Sequence, residues 1–185
     1  HDRITGNISP DGMLTFVVSA PGNSEIWTAP IHAPERAAKF VSNGFNLGHP
    51  ALSPNGRWMA YDSNEAGRLE VFIQSYPDPT RERVQVSSGG GSEPWWTKGG
   101  RELAFRRGDS VLVVSVDPAT GVASRPTALF GGRYVSREDW SQPASYDVTP
   151  DGERFLMLKF AAGDERRRVN VVTNWFDELR RKVPR

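Results

Sequence analysis

The side chains best suited to chemistry are few and scattered. There are three histidines, His1, His32 and His49, and no cysteine. Thiolate nucleophiles, disulfides and Cys-ligated metals are therefore excluded. No histidine stands at a metal-ligand spacing from another, and Asp11, Asn55 and Asp151 occur in turn-forming strings that account for them without a cation. The nearest approach to a serine-hydrolase elbow is Gly90-Gly91-Ser92-Glu93-Pro94, where Pro94 stands in place of the closing glycine. Ser88-Gly89-Gly90-Gly91-Ser92 is glycine-rich, but no Lys-Ser/Thr follows it, so it reads as a flexible connection and not as a phosphate loop. No pair of carboxylates stands apart from turn or surface roles. No catalytic residue, cofactor or metal is assigned.

Composition narrows the partners. The chain of 185 residues has 24% charged and 37% hydrophobic residues, a net charge of +1, six Trp and nine Phe, as expected of a globular domain with a real core. The basic clusters Arg106-Arg107, Arg166-Arg167-Arg168 and Arg180-Arg181-Lys182 are offset by acidic residues such as Asp164-Glu165 and Asp177-Glu178. They read as solvated loops or helix ends, and no nucleic-acid partner is expected. No apolar run approaches the roughly 18 residues of a membrane span. The chain begins at His1 with no signal peptide after it, so it is expected to be a piece of a longer reading frame or a processed product, with any membrane link upstream.

The elements that position these residues follow from an internal repeat. Ser9-Pro10-Asp11-Gly12, Ser53-Pro54-Asn55-Gly56, Thr97-Lys98-Gly99-Gly100 and Thr149-Pro150-Asp151-Gly152 each precede an apolar strand, at intervals of 44, 44 and 52 residues. Asp-Gly and Asn-Gly suit a turn that needs positive φ. The unit continues through a half-buried strand such as Trp58-Met59-Ala60-Tyr61, a polar loop from Asp62 to Arg68, a strand from Leu69 to Ser75 and a weaker outer strand near Arg83 to Val86. The fold class expected is all-β: a β-propeller segment of four four-stranded antiparallel blades at about 3–43, 48–87, 93–130 and 145–173, within a single domain 1–185. The last blade has Val169 to Val172 as its third strand and no evident fourth. A C-terminal helix over 174–183 follows, capped by Asn174, with Trp175, Leu179 and Val183 as its apolar stripe.

At these turns the sequence resembles the TolB-like propellers built from PD40 (WD40-like) repeats, through Pro50-Ala51-Leu52-Ser53-Pro54-Asn55-Gly56 and Pro94-Trp95-Trp96-Thr97-Lys98-Gly99-Gly100. The last third carries a narrower resemblance. Val113-Val114-Ser115-Val116, the run from Tyr146 to Met157 and Val171-Val172-Thr173-Asn174-Trp175-Phe176-Asp177-Glu178-Leu179 resemble the C-terminal end of bacterial proteins that join a Ser/Thr kinase or a winged-helix domain to a propeller. The resemblance implies a non-catalytic, protein- or peptide-binding sensor module of a larger signalling protein, in an extracytoplasmic (periplasmic or cell-surface) setting. The alternatives are the gating propeller of a prolyl-oligopeptidase-type hydrolase and a self-assembling half-propeller.

In TolB-like propellers the connections into the innermost strands line a channel mouth that docks extended peptides. The positions this implies are Phe45 and His49 before the second blade, Glu93 before the third, and Arg133, Tyr134, Trp140 and Gln142 in the long segment before the fourth. The other reading of that segment tucks Tyr134 and Trp140 onto the core. Four blades are few for a closed ring, so self-association is expected, including a homodimer that completes the ring.

Overall fold

The computed structural model describes residues 5–135, 144–149, 151–159 and 168–172. Trp140, Gln142 and the helix expected over 174–183 lie outside them. Among the described residues, fifteen strands form four antiparallel sheets in chain order, three of four strands and one of three. Blade 1 comprises β1 (Thr5–Ile8), β2 (Met13–Ala20), β3 (Asn23–Pro30) and β4 (Ala38–Val41). Blade 2 comprises β5 (Leu47–Leu52), β6 (Trp58–Ser63), β7 (Glu70–Ser75) and β8 (Arg83–Gln85). Blade 3 comprises β9 (Ser92–Thr97), β10 (Glu102–Arg107), β11 (Ser110–Ser115) and β12 (Thr127–Gly131). Blade 4 comprises β13 (Tyr146–Val148), β14 (Phe155–Lys159) and β15 (Arg168–Val172). The all-β propeller segment expected from the repeat is the architecture observed.

The repeated turn shows why the pattern recurs. In the first, second and fourth copies the glycine N–H donates to the Ser or Thr carbonyl three residues back, at 2.7–2.9 Å. The Ser53 hydroxyl accepts the Trp58 N–H at 2.9 Å, and Thr149 Oγ1 accepts the Arg154 N–H at 3.1 Å. The turn thus satisfies a donor at the start of the next strand or just before it. Gly152 has φ +74°, and a Cβ there would lie 2.8 Å from the Thr97 side chain, so blade 4 packs onto blade 3 at this point.

Strand alternation then divides each blade between its two neighbours. Met59, Tyr61 and Phe72 of blade 2 join Ile26 and Phe40 of blade 1 in one buried cluster. Trp58, Ala60, Val71 and Ile73 of the same blade join Trp96, Leu103, Phe105 and Leu112 of blade 3 in another. A third cluster holds Ala104 and Val111 of blade 3 with Tyr146, Val148, Phe155 and Met157 of blade 4. The core is therefore three interfaces between consecutive blades. The polar loop expected from Asp62 needs correction: Asp62 and Ser63 belong to β6 and are fully buried, and the loop starts at Asn64.

Candidate functional site: the channel between the innermost strands

The innermost strands β1, β5, β9 and β13 surround a cavity of about 300 Å³. Asn7, His49, Pro94, Trp95, Tyr146 and Asp147 line it, so all four blades contribute. His49 and Glu93 occupy the same place in their repeats, four residues before the Ser or Thr of the turn, and each precedes a proline. Both have positive φ, +48° and +54°, and both sit where the strand register shifts. Left-handed backbone at a non-glycine residue costs roughly 1–2 kcal/mol, so the surroundings must hold it in place.

Those surroundings are a buried polar network. Asp62 Oδ2 lies 2.7 Å from His49 Nδ1 and accepts the Glu93 N–H at 2.8 Å. One carboxylate on β6 therefore ties together both bulges, across blades 2 and 3. The Glu93 carboxylate in turn accepts the Ser145 N–H and hydroxyl, and the Tyr146 hydroxyl donates to the Glu93 carbonyl at 2.6 Å. Burial, reinforced by the Glu93 charge, holds the Tyr146 phenol well above its ordinary value, so it remains an O–H donor. Arg106 on β10 stands where Asp62 stands on β6, nine residues after the turn Ser or Thr, and donates to the Ser145 hydroxyl at 2.9 Å and the Val135 carbonyl at 2.6 Å. From the flanks, Thr15 Oγ1 donates to the Pro50 carbonyl at 3.1 Å and the Trp96 indole to the Ala51 carbonyl at 3.0 Å.

The structure separates the positions expected from sequence. His49 lines the cavity. Glu93 is fully buried behind it, as an inter-blade tie. Phe45 is exposed on the connection between β4 and β5, where its carbonyl accepts the Ser24 N–H, and it does not line the cavity. Arg133 is exposed, and Tyr134 packs edge-on to Phe130 at 5.9 Å against the blade 3–4 cluster. Neither lines the cavity, and Tyr134 follows the core-packing alternative. Trp95 is half-buried, packs against the blade 3–4 cluster and also lines the channel. Asn7, Asp62, Arg106 and Asp147 were not among the expected positions. The signal for Asp62 and Arg106 is a charged residue nine places after the turn Ser or Thr, inside an apolar strand.

The glycine-rich connection is ordered around a carboxylate. Glu70, fully buried, accepts the N–H groups of Gly89 and Gly90 at 3.1 and 2.9 Å, Arg68 Nε at 2.8 Å and the Ser87 hydroxyl. This replaces the expected flexible linker with a loop that wraps a protein side chain, so those backbone donors are already engaged. Burial pushes the Glu70 carboxyl up, and the Ser87, Arg68 and Gly90 donors outweigh it, leaving it below its ordinary value. Among the described residues no cluster of three His, Asp or Glu side chains is placed to hold a metal ion.

Comparison with solved structures bears on the fold. The chain aligns with TolB from Acinetobacter baumannii at a TM-score of 0.64 and 17% identity, over 87% of this chain and 38% of that one. The fold is that of a TolB-like β-propeller. A structure described as TolB from Agrobacterium tumefaciens aligns at a TM-score of 0.60 and 15% identity, over 88% of this chain and 56% of that one. A prolyl endopeptidase structure aligns at 0.54 and 13% identity, over 94% of this chain and 30% of that one. The chain therefore spans only about two-fifths to just over half the length of the two TolB-like structures. No family model and no curated relative matches it.

Proposed function

We propose that this TolB-like propeller segment is a non-catalytic module that binds an extended protein or peptide segment at its channel, as the sensing part of a larger bacterial signalling protein with an extracytoplasmic location. The observation that carries the binding reading is the cavity itself. It is concave, largely apolar, and edged by Trp95, two prolines, the Asp147 carboxylate and the Asn7 amide, a composition suited to a short peptide stretch. The strained bulges at His49 and Glu93 are held by a buried network, which pre-forms the wall and lowers the ordering cost of binding. The His49–Asp62 contact has the form that orients a catalytic imidazole. Here Asp62 also holds the Glu93 backbone, a structural tie between blades. The signalling context rests on the sequence resemblance alone.

The test is a displayed peptide library panned on the protein, with binders measured by calorimetry against wild type, Trp95→Ala and Asp147→Lys. The reading expects binders that either change weakens about tenfold, or 1.4 kcal/mol. Binders indifferent to both changes, or none at all, would overturn it.

A second reading is favoured by the end blades: a self-assembling half-propeller. Ile8 of blade 1 and Leu156 and Leu158 of blade 4 are exposed large apolar residues. A second copy that covers them would complete a ring. A monomeric mass by light scattering at micromolar concentration argues against it. A hydrolase gate remains the alternative from the enzyme class, and a Gly-x-Ser-x-Gly domain joined to this segment would identify it.

A further inference from the structure

The sequence holds two Asn-Gly pairs, Asn43-Gly44 between β4 and β5 and Asn55-Gly56 in the second copy of the repeat turn. Asn-Gly is prone to spontaneous deamidation, because a following glycine puts no side chain in the way of backbone attack. In that reaction the glycine nitrogen gives up its proton and bonds to the Asn Cγ. The Cγ–Nδ2 bond breaks, and ammonia leaves carrying that proton. Water then opens the cyclic imide at one of its two carbonyls, giving aspartate or isoaspartate.

The two pairs are closely matched in the fold. Each Asn Oδ1 accepts the N–H two residues on, from Phe45 at 3.2 Å and from Arg57 at 3.1 Å. Each glycine has positive φ, +82° at Gly44 and +65° at Gly56. They differ at the nucleophile. The Gly56 N–H donates to the Ser53 carbonyl at 2.8 Å, and Asn55 Oδ1 also accepts the buried Ser53 hydroxyl at 2.7 Å. Gly44 is exposed, and its N–H has no hydrogen-bond partner among the described residues. A bonded N–H must break its bond before the nitrogen can turn onto Cγ.

We propose that Asn43 is a site of spontaneous deamidation in the folded protein, whereas the repeat turn protects Asn55. The product changes the junction of blades 1 and 2. Asn43 Nδ2 donates to Glu65 Oε2 at 2.8 Å and so ties the loop before β5 to the loop after β6. Deamidation replaces that donor with a second carboxylate, a like charge facing Glu65. At Asn55 the same change to aspartate is benign, because Asp11 and Asp151 accept the Ser9 and Thr149 hydroxyls in the same turn. Neither Asn lines the channel cavity, so the site is independent of the binding reading.

The experiment incubates the whole chain at mildly alkaline pH, folded and in urea, and follows the amide-to-acid mass gain by peptide mapping. Fragment spectra separate Asn43 from Asn55. In the folded protein Asn43 is expected to convert about tenfold faster than Asn55, the scale of one hydrogen bond that must first open. In urea the two rates are expected to converge, and Asn43→Gln is expected to remove the fast phase. Equal rates in the folded protein, faster conversion at Asn55, or a ratio that urea leaves unchanged would overturn the proposal. For the product, Asn43→Asp is expected to lower the urea midpoint and Asn55→Asp to leave it in place. An Asn43→Asp midpoint equal to that of wild type would overturn the predicted clash with Glu65.

Discussion

Blade 2 and blade 1 are copies of one repeat in different surroundings. Every residue of β5, β6 and β7 is buried, because blade 1 covers one face and blade 3 the other. In blade 1 the residues of β2 that point toward blade 2, Thr15 and Val17, are buried, while Leu14, Phe16 and Val18 on the other face are only half-buried. The residue just before the turn Ser or Thr makes the contrast sharpest. Leu52, Trp96 and Val148 each pack toward the preceding blade and are 8%, 7% and 7% exposed, but Ile8 at the same place is 52% exposed. The repeat supplies an apolar residue at this position whether or not the described structure covers it. Burial in a propeller is therefore a property of the junction, not of the blade.

The largest effect belongs to the junction's polar tie. Asp62→Ala removes the partner of the His49 ring and of the Glu93 N–H inside the core and is expected to cost about 3–5 kcal/mol, read as a lowered urea midpoint. Next comes the matched pair. Leu52→Ala is expected to cost about 2–5 kcal/mol, and Ile8→Ala no more than about 0.5 kcal/mol. Equal losses would mean that something covers Ile8 in solution. Gly152→Ala forces positive φ on a Cβ that meets Thr97 and is expected to cost about 2 kcal/mol.

The smallest effect is a pH dependence. The folded Glu70 carboxyl lies below its ordinary value of 4.5, so its contribution is present above that value and is lost as pH falls through the lower folded value. Glu70→Gln is expected to flatten the acid limb of the stability curve in that window. An unchanged limb would show that Glu70 does not hold its loop through charge.

The fold was legible because turn chemistry is local. A Ser or Thr hydroxyl, a tight bend and a positive-φ glycine must lie close together in sequence, and they recur at intervals of 44, 44 and 52 residues. The site was legible only where it borders those turns. His49 precedes its blade and lines the channel. Tyr134 also precedes a blade, yet the segment at 134–135 pairs along β14, with the Val135 N–H donating to the Leu158 carbonyl, and turns the ring toward Phe130. Sequence alone places Asp62 at the start of a polar loop and Arg106 in a solvated basic cluster, because a charge near a strand end reads as solvated, whereas both are buried within β6 and β10. Only the meeting of two blades shows that each is buried and bonded across the junction.

In the proposed function the channel between the innermost strands, and not the open blade faces, receives the ligand. This is tested most directly by titrating a display-selected peptide into ¹⁵N-labelled protein and mapping the shifted amides. The account predicts shifts centred on Asn7, His49, Trp95 and Asp147, with Ile8, Leu156 and Leu158 unmoved. Shifts centred on Ile8 or on Leu156 and Leu158, with the channel silent, would contradict it and make the end faces the binding surface.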